Sequence, residues 1–246
     1  MNTILTGQLI LTFKQTVATD TIKLRFKAGS LKTLTGDDFT GNLNYSPGQF
    51  VSLGFTQTAW RAYSIASVPS EDELELLVRL VSGGVGSEAL NNAEIGDAIP
   101  FKGPFGHFAL TTNADAHLVF CATGTGIAPF RSMIMAESQS PTPRNMTLLY
   151  GGKNAADLAY LEELTVWSKD LNIKLGLSRD PDLKIPGGLK CDTQNCRITN
   201  LLENLELSDQ HEFYLCGNGA MVKSVQEILE TLKVDPSRIL MERFNW

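Results

Sequence analysis

Five apolar runs punctuate the second half of the chain: His117–Ala122, Met146–Tyr150, Ile173–Leu177, Glu212–Cys216 and Arg238–Met241. Runs this short suit strands buried on both faces and fall well below the length of a membrane span. Helical signals fill the gaps, over Ala128–Glu137, Ala155–Ser168, Ile198–Leu205 and Ala220–Lys233. Buried strands that alternate with helices predict a parallel sheet with crossover connections.

The first half reads differently. In Thr21–Lys27, Ile22, Leu24 and Phe26 alternate with Lys23, Arg25 and Lys27, as in a strand with one buried face. Gly7–Val17, Phe50–Phe55, Trp60–Ala66, Glu73–Val81 and Asp97–Lys102 also read as strands, the last ending at Gly103-Pro104. Polar Gly29–Ser46 reads as a loop or an extended hairpin. Many short strands at this spacing predict an antiparallel barrel or sandwich. A polar link at Thr111-Thr112-Asn113 divides the chain into domains 1–112 and 113–246.

Composition narrows the function. The chain has 246 residues, 43% hydrophobic and 20% charged, enough for real cores. A net charge of -6 argues against nucleic acid as a partner. With no signal-peptide pattern and no membrane-length apolar run, a cytoplasmic protein is expected. Of the four cysteines, Cys191 and Cys196 have the first spacing of a plant-type iron–sulfur loop, but Thr199 stands where the next ligand belongs. No metal site is expected.

The chemistry concentrates in a few stretches. Arg61-Ala62-Tyr63-Ser64 places a guanidinium, an aromatic face and a hydroxyl on one strand. These suit a ligand with a phosphate at one end and a flat heteroaromatic ring at the other. A strand with one polar face is the alternative. Gly83-Gly84-Val85-Gly86-Ser87 precedes a short helix and offers amides to an anion, or a glycine loop with Ser87 as N-cap. Gly124-Thr125-Gly126-Ile127-Ala128-Pro129 joins the first buried strand to its helix, where backbone amides can approach a pyrophosphate. Cys216-Gly217-Asn218-Gly219-Ala220-Met221 repeats that arrangement at the fourth run. Ser178, Arg179 and, downstream, Arg197 could hold a ribose phosphate, or Arg179 could pair with Asp180 at the surface.

In order and spacing, these pieces resemble the ferredoxin–NADP reductase family over nearly the whole chain. Pro47-Gly48-Gln49-Phe50, Gly103-Pro104-Phe105-Gly106 and Tyr160-Leu161-Glu162-Glu163-Leu164 complete the match. The resemblance implies an antiparallel FAD-binding β-barrel followed by a Rossmann-like α/β NADP-binding domain. It implies that Arg61 meets the FAD pyrophosphate, Tyr63 packs on the isoalloxazine with Ala62 beside it, and Ser64 bonds near flavin N5. Gly84, Val85, Gly86 and Ser87 would hold the FAD pyrophosphate, with Thr125 nearby. Gly124, Thr125, Gly126 and Pro129 would take the NADP pyrophosphate, and Ser178, Arg179 and Arg197 the 2′-phosphate. Cys216, Gly217, Asn218 and Met221 would line the nicotinamide side. Ser64, Cys216, Glu242 and Phe244 would be the catalytic set, with Phe244 a gate over the flavin and Trp246 near the FAD adenine.

The implied activity is exchange of a hydride between NADP(H) and FAD and of single electrons with ferredoxin or flavodoxin, by a monomer. Such carriers are acidic, so docking needs a local cationic patch. Lys23, Arg25 and Lys27, with Lys14 and Lys32, supply the candidate. An NADH-using reductase component of an oxygenase is the close alternative. A non-enzymatic nucleotide-binding module is the alternative of another class.

Overall fold

The computed structural model describes residues 3–180, 182 and 191–244. They form two compact units, Met1–Leu110 with Ala128–Ala136, and Thr111–Ile127 with Glu137–Trp246.

The first unit is built from β1 (Leu5–Ala18), β2 (Thr21–Thr33), β3 (Asp38–Phe39), β4 (Phe50–Gly54), β5 (Trp60–Ser64), β6 (Leu74–Arg79), α1 (Val85–Asn92) and β7 (Ala98–Phe105). Its strands are antiparallel, in the order β3-β2-β1-β7-β4-β5, with β6 also paired to β2. A single bridge between Ile65 and Leu76 joins the end of β5 to β6. That bridge closes β6, β2, β1, β7, β4 and β5 into a barrel, which leaves few open edges. Alternation fills the interior: Leu9, Leu11, Leu24, Phe26, Val51, Leu53, Ile65 and Leu76 are all fully buried. The segment Gly29–Ser46 is the extended hairpin of the two readings, because β2 runs on to Thr33 and β3 pairs back through Leu31↔Phe39. Strand β7 extends past Gly103-Pro104 to Phe105, farther than its composition suggests.

The rest of the chain forms β8 (His117–Thr123), α2 (Ile127–Ser138), β9 (Met146–Gly152), α3 (Leu161–Trp167), β10 (Asn172–Leu177), β11 (Asp192–Gln194), α4 (Ile198–Glu203), β12 (His211–Asn218), α5 (Gly219–Thr231) and β13 (Ile239–Phe244), and all of these but most of α2 belong to the second unit. The sheet is parallel, in the order β11-β10-β9-β8-β12-β13. Helices α4 and α5 bury Leu201, Leu202, Val222, Val225 and Leu229 against Val119, Leu149, Phe213 and Leu215. Two elements differ from the sequence reading. The helix expected over Ala155–Ser168 is broken: a 3-10 turn covers Ala155–Asp157, and α3 starts only after Tyr160, whose φ is 62°. Side chains at Asn154 and Asp157 cap that turn and divert the chain. The short strand β11 carries no apolar signal because its residues are Asp, Thr and Gln.

Helix α2 is unusual in its allegiance. Its residues Ala128–Ala136 group with the barrel. Arg131 is 3% exposed; its guanidinium donates to the Ala66 carbonyl at 2.8 Å and reaches Glu71 at 3.2 Å. Its Nε lies 3.5 Å from Glu75, itself 1% exposed and bonded by Arg25 at 2.9 Å. The Ser132 hydroxyl donates to the Ser67 carbonyl at 2.6 Å. Two cations and two carboxylates thus satisfy one another in a mostly dry place, where an unpaired member would be costly.

At the amino-terminal edge of the parallel sheet, His117 and His211 stack with ring centroids 4.5 Å apart. The ring of His117 bonds the Thr147 hydroxyl at 2.8 Å, and His211 Nδ1 accepts from the Ser208 amide at 3.0 Å. Burial holds both imidazoles below their ordinary pKa, with His211 adding to the effect on His117. A folded-state pKa below the unfolded value of about 6.5 means that the unfolded chain binds the proton first. Stability is therefore complete above that value and falls as the pH drops below it. Thermal unfolding should show a lower Tm at pH 5.5 than at pH 7.5. The double variant His117→Phe with His211→Phe should lose most of that difference; an unchanged difference would exclude the pair as its source.

Candidate nucleotide-binding sites

In the barrel, β5 pairs with β4 so that Arg61 faces Leu53 and Tyr63 faces Val51 across the ladder. Positions 61 and 63 share a face because side chains alternate along a strand. Helix α1 begins against that face. A Cβ at Gly86 would lie 2.6 Å from the Tyr63 hydroxyl, 2.9 Å from the Phe55 ring and 3.4 Å from Arg61 Cγ. Only a residue without a side chain allows the first turn of α1 to come so close, so glycine sets this cradle. Phe55 holds Tyr63 edge to face, with centroids 6.4 Å apart. Burial pushes the Tyr63 phenol up to about 12, against the opposing pull of Arg61, so it stays neutral. Arg61 is exposed, and its guanidinium donates to the Trp60 carbonyl at 2.9 Å.

The cradle therefore joins a cation, an aromatic face and the start of a helix, a combination suited to a phosphate attached to a flat ring. Ser64 is 6% exposed, while Ala62 is exposed. Ser87 is not an N-cap. Helix α1 begins at Val85 with Gly84 as its cap, and the Ser87 hydroxyl accepts from the Val81 amide at 2.9 Å, which ties down the preceding loop.

The second unit places its two glycine turns side by side. From β8 the chain steps outward through β9, β10 and β11, then returns to β12 on the other side of β8. Ligands of open α/β sheets bind where the strand order reverses in this way, at the carboxyl ends of the strands. Those ends are Thr123-Gly124 and Gly217-Asn218. The turns interlock: a Cβ on Gly126 would run into the backbone of Cys216 and Gly217, and one on Gly217 into Thr123. The Asn218 amide donates to the Thr123 hydroxyl at 3.3 Å. Gly124 has a φ of +54° and open space where a Cβ would stand. Thr125 is 3% exposed, and Pro129 lies in the first turn of α2. Gly126 thus serves turn packing, and the open side belongs to Gly124. Thr123 carries no distinguishing signal in the sequence, because a threonine closing a buried strand looks like any other.

Cys216 is fully buried and sits in register beside Glu242 of β13. Burial, then the Glu242 carboxylate, raises its thiol well above the ordinary range, so it remains a protonated thiol and no nucleophile. Phe244 closes β13 beside Asn218, and Met221 packs at the edge of the α5 core. At the end of β10, Ser178 and Arg179 are exposed, and Arg197 is exposed as well. A Cβ on Gly176 would lie within 3.3 Å of the Arg197 backbone, so Arg179 and Arg197 flank the same strand end. Trp246 lies outside the described residues.

The proposed docking cations are not equivalent. Lys23 and Arg25 lie over the Phe13 ring, at 5.7 and 5.4 Å, but Arg25 is committed to buried Glu75. Lys14 donates to the Asn91 and Ala93 carbonyls at the end of α1, which takes its charge away from the patch. Lys27 remains exposed.

Two family models match the chain. Residues 8–110 match an oxidoreductase FAD-binding domain and residues 120–227 an oxidoreductase NAD-binding domain. The chain belongs to the ferredoxin–NADP+ reductase family. Its two domains are of the oxidoreductase kinds that bind FAD and a nicotinamide dinucleotide, and the Gly86 cradle and the paired glycine turns fit those two groups. The chain is 29% identical over 212 residues to a propane 2-monooxygenase reductase component of Mycolicibacterium goodii, covering 83% of this chain and 60% of that one. It is 29% identical over 231 residues to the toluate 1,2-dioxygenase electron transfer component of Pseudomonas putida, covering 91% and 63%. The chain therefore spans about 60% of the length of these relatives. A solved ferredoxin NADP+ reductase from Neisseria gonorrhoeae, with bound FAD and NADP, shares the fold with a TM-score of 0.77 at 22% identity, covering 97% of this chain and 98% of that one. No helix among the described residues is long and apolar enough to cross a membrane.

Proposed function

We propose that this reductase oxidises NADPH and passes the electrons one at a time to a ferredoxin or flavodoxin. The observation that carries the choice of NADPH is the pair of exposed arginines, Arg179 and Arg197, flanking the end of β10 beside Ser178. Guanidinium groups suit a 2′-phosphate, which NADH lacks. Bound FAD supplies the chemistry that converts a hydride's electron pair into single-electron steps.

The chain's own residues set up that exchange. Arg61 and the first turn of α1 hold the FAD pyrophosphate, and Tyr63 packs on the ring. Ser64 donates toward flavin N5. Gly124 to Gly126 take the dinucleotide pyrophosphate. On the nicotinamide side stand the neutral Cys216 thiol and Glu242, with Phe244 as the movable cover. Lys23 and Lys27 steer an acidic carrier; if so, its reduction slows as salt rises.

A second reading is a reductase component serving an oxygenase, favoured by the relatives from propane and toluate oxygenase systems. Anaerobic titration of the flavoprotein with NADPH and with NADH separates the two. The flavin absorbance should bleach with NADPH at a Kd at least ~10-fold below that for NADH, as expected for one well-placed charge-assisted contact. A clear preference for NADH would overturn the first reading in favour of the second. No bleaching by either donor would remove both.

A further inference from the structure

Tyr150 is completely buried at the end of β9, yet its hydroxyl is fully engaged. It donates to the Gly124 carbonyl at 3.1 Å and accepts from the Ala159 amide at 3.1 Å. The roles are fixed, since a carbonyl can only accept and an amide can only donate. The same carbonyl also takes the amide of Ile127, which closes the 3-10 turn Gly124–Gly126. We propose that Tyr150 is a positioning residue for dinucleotide binding, whose hydroxyl orients the peptide between Gly124 and Thr125. This rests on the assignment of that turn to the dinucleotide pyrophosphate.

A trans peptide is planar, so its C=O and N–H point in opposite directions. Tyr150 draws the Gly124 carbonyl into the interior, and the Thr125 N–H must then point away from it. An outward N–H at this turn is the donor that a pyrophosphate oxygen needs. Gly124 makes the orientation possible, since its φ of +54° suits glycine and leaves open space beside it. Burial raises the Tyr150 phenol above its ordinary range, which keeps the proton on the oxygen. The hydroxyl also links the turn to Ala159, the residue before the left-handed Tyr160 that starts α3. Two loops that border the strand ends thus share one buried oxygen.

Tyr150→Phe keeps the ring and removes that oxygen. The test uses the FAD-loaded protein, with inhibition constants of ADP and of adenosine measured against the reducing dinucleotide. Loss of one oriented donor should weaken ADP about 5- to 10-fold. Adenosine has no pyrophosphate and should keep its constant, and FAD content should not change. An equal loss for both ligands would mean general loosening of the fold and would overturn the proposal. So would an unchanged ADP constant. Replacement of Tyr150 by p-aminophenylalanine restores a donor and guards against a poorly folded phenylalanine variant; it should recover ADP binding, and failure to do so counts against the proposal. If the unmodified protein binds neither ADP nor a nicotinamide dinucleotide, the site assignment itself falls, and the proposal with it.

Discussion

Arg131→Met should lower the unfolding free energy of the FAD-saturated protein by about 3–5 kcal/mol, the usual cost of breaking a buried ion pair from one side. The reason lies in what stays behind. Glu75 is 1% exposed and would keep Arg25 as its nearby cation, while the Ala66 carbonyl would lose a 2.8 Å donor. Methionine fills most of the arginine's volume, so the loss reports charge and hydrogen bonding more than packing. Urea unfolding gives the measurement. The double variant Arg131→Met with Glu75→Leu should recover part of the loss, because a buried pair replaced as a whole costs far less than one broken in half. Losses that simply add would mean that the two residues are not coupled.

Gly86→Ala is expected to weaken FAD binding at least ~5-fold, in line with the 1–3 kcal/mol that overpacking commonly costs. The sign is informative, because the same change in an open helix stabilises by about 1 kcal/mol. Here the added methyl would press on the Tyr63 hydroxyl and the Phe55 ring. Those rings must shift, and with them the face proposed to receive the flavin. Flavin fluorescence titration of the apoprotein reads the affinity, and far-ultraviolet circular dichroism checks that α1 survives. FAD binding at the original strength would show that Tyr63 and Phe55 yield without consequence, and the cradle would lose its standing as the cofactor's seat.

The architecture was legible where chemistry is local. Five apolar runs with helices between them identify the parallel sheet, and the alternation of Thr21–Lys27 identifies a barrel strand. The glycine turns were legible for the same reason, as interruptions at the ends of buried runs. What a sequence hides is partnership at a distance. Nothing near Arg131 reveals Glu75, 56 positions earlier (131 − 75 = 56). In sequence Arg25 reads as a cation available to a partner, yet it bonds Glu75 at 2.9 Å, and Lys14 reads the same way although its ammonium sits at the end of α1. The break before α3 was hidden because Tyr160 carries no preference for a left-handed backbone. Tyr150 read as one more apolar residue in a buried run, since only its tip is polar. For the candidate sites, residue identity was readable, whereas the tight approach of Gly86 to Tyr63 and the interlocking of Gly126 with Cys216 required the fold.

The division of α2 bears on modularity. The chain enters this helix from the nucleotide turn, but nine of its residues, Ala128–Ala136, belong with the barrel. A cut at the polar link after Thr112 would give the barrel fragment neither Arg131 nor Ser132. Glu75 would then be left with fewer charges to answer it, and the Ala66 and Ser67 carbonyls would lose their donors. The two halves are therefore poor candidates for separate expression or for transplantation into chimeras. A graft that respects the molecule must carry residues 128–136 along with the barrel, even though they lie beyond its apparent border.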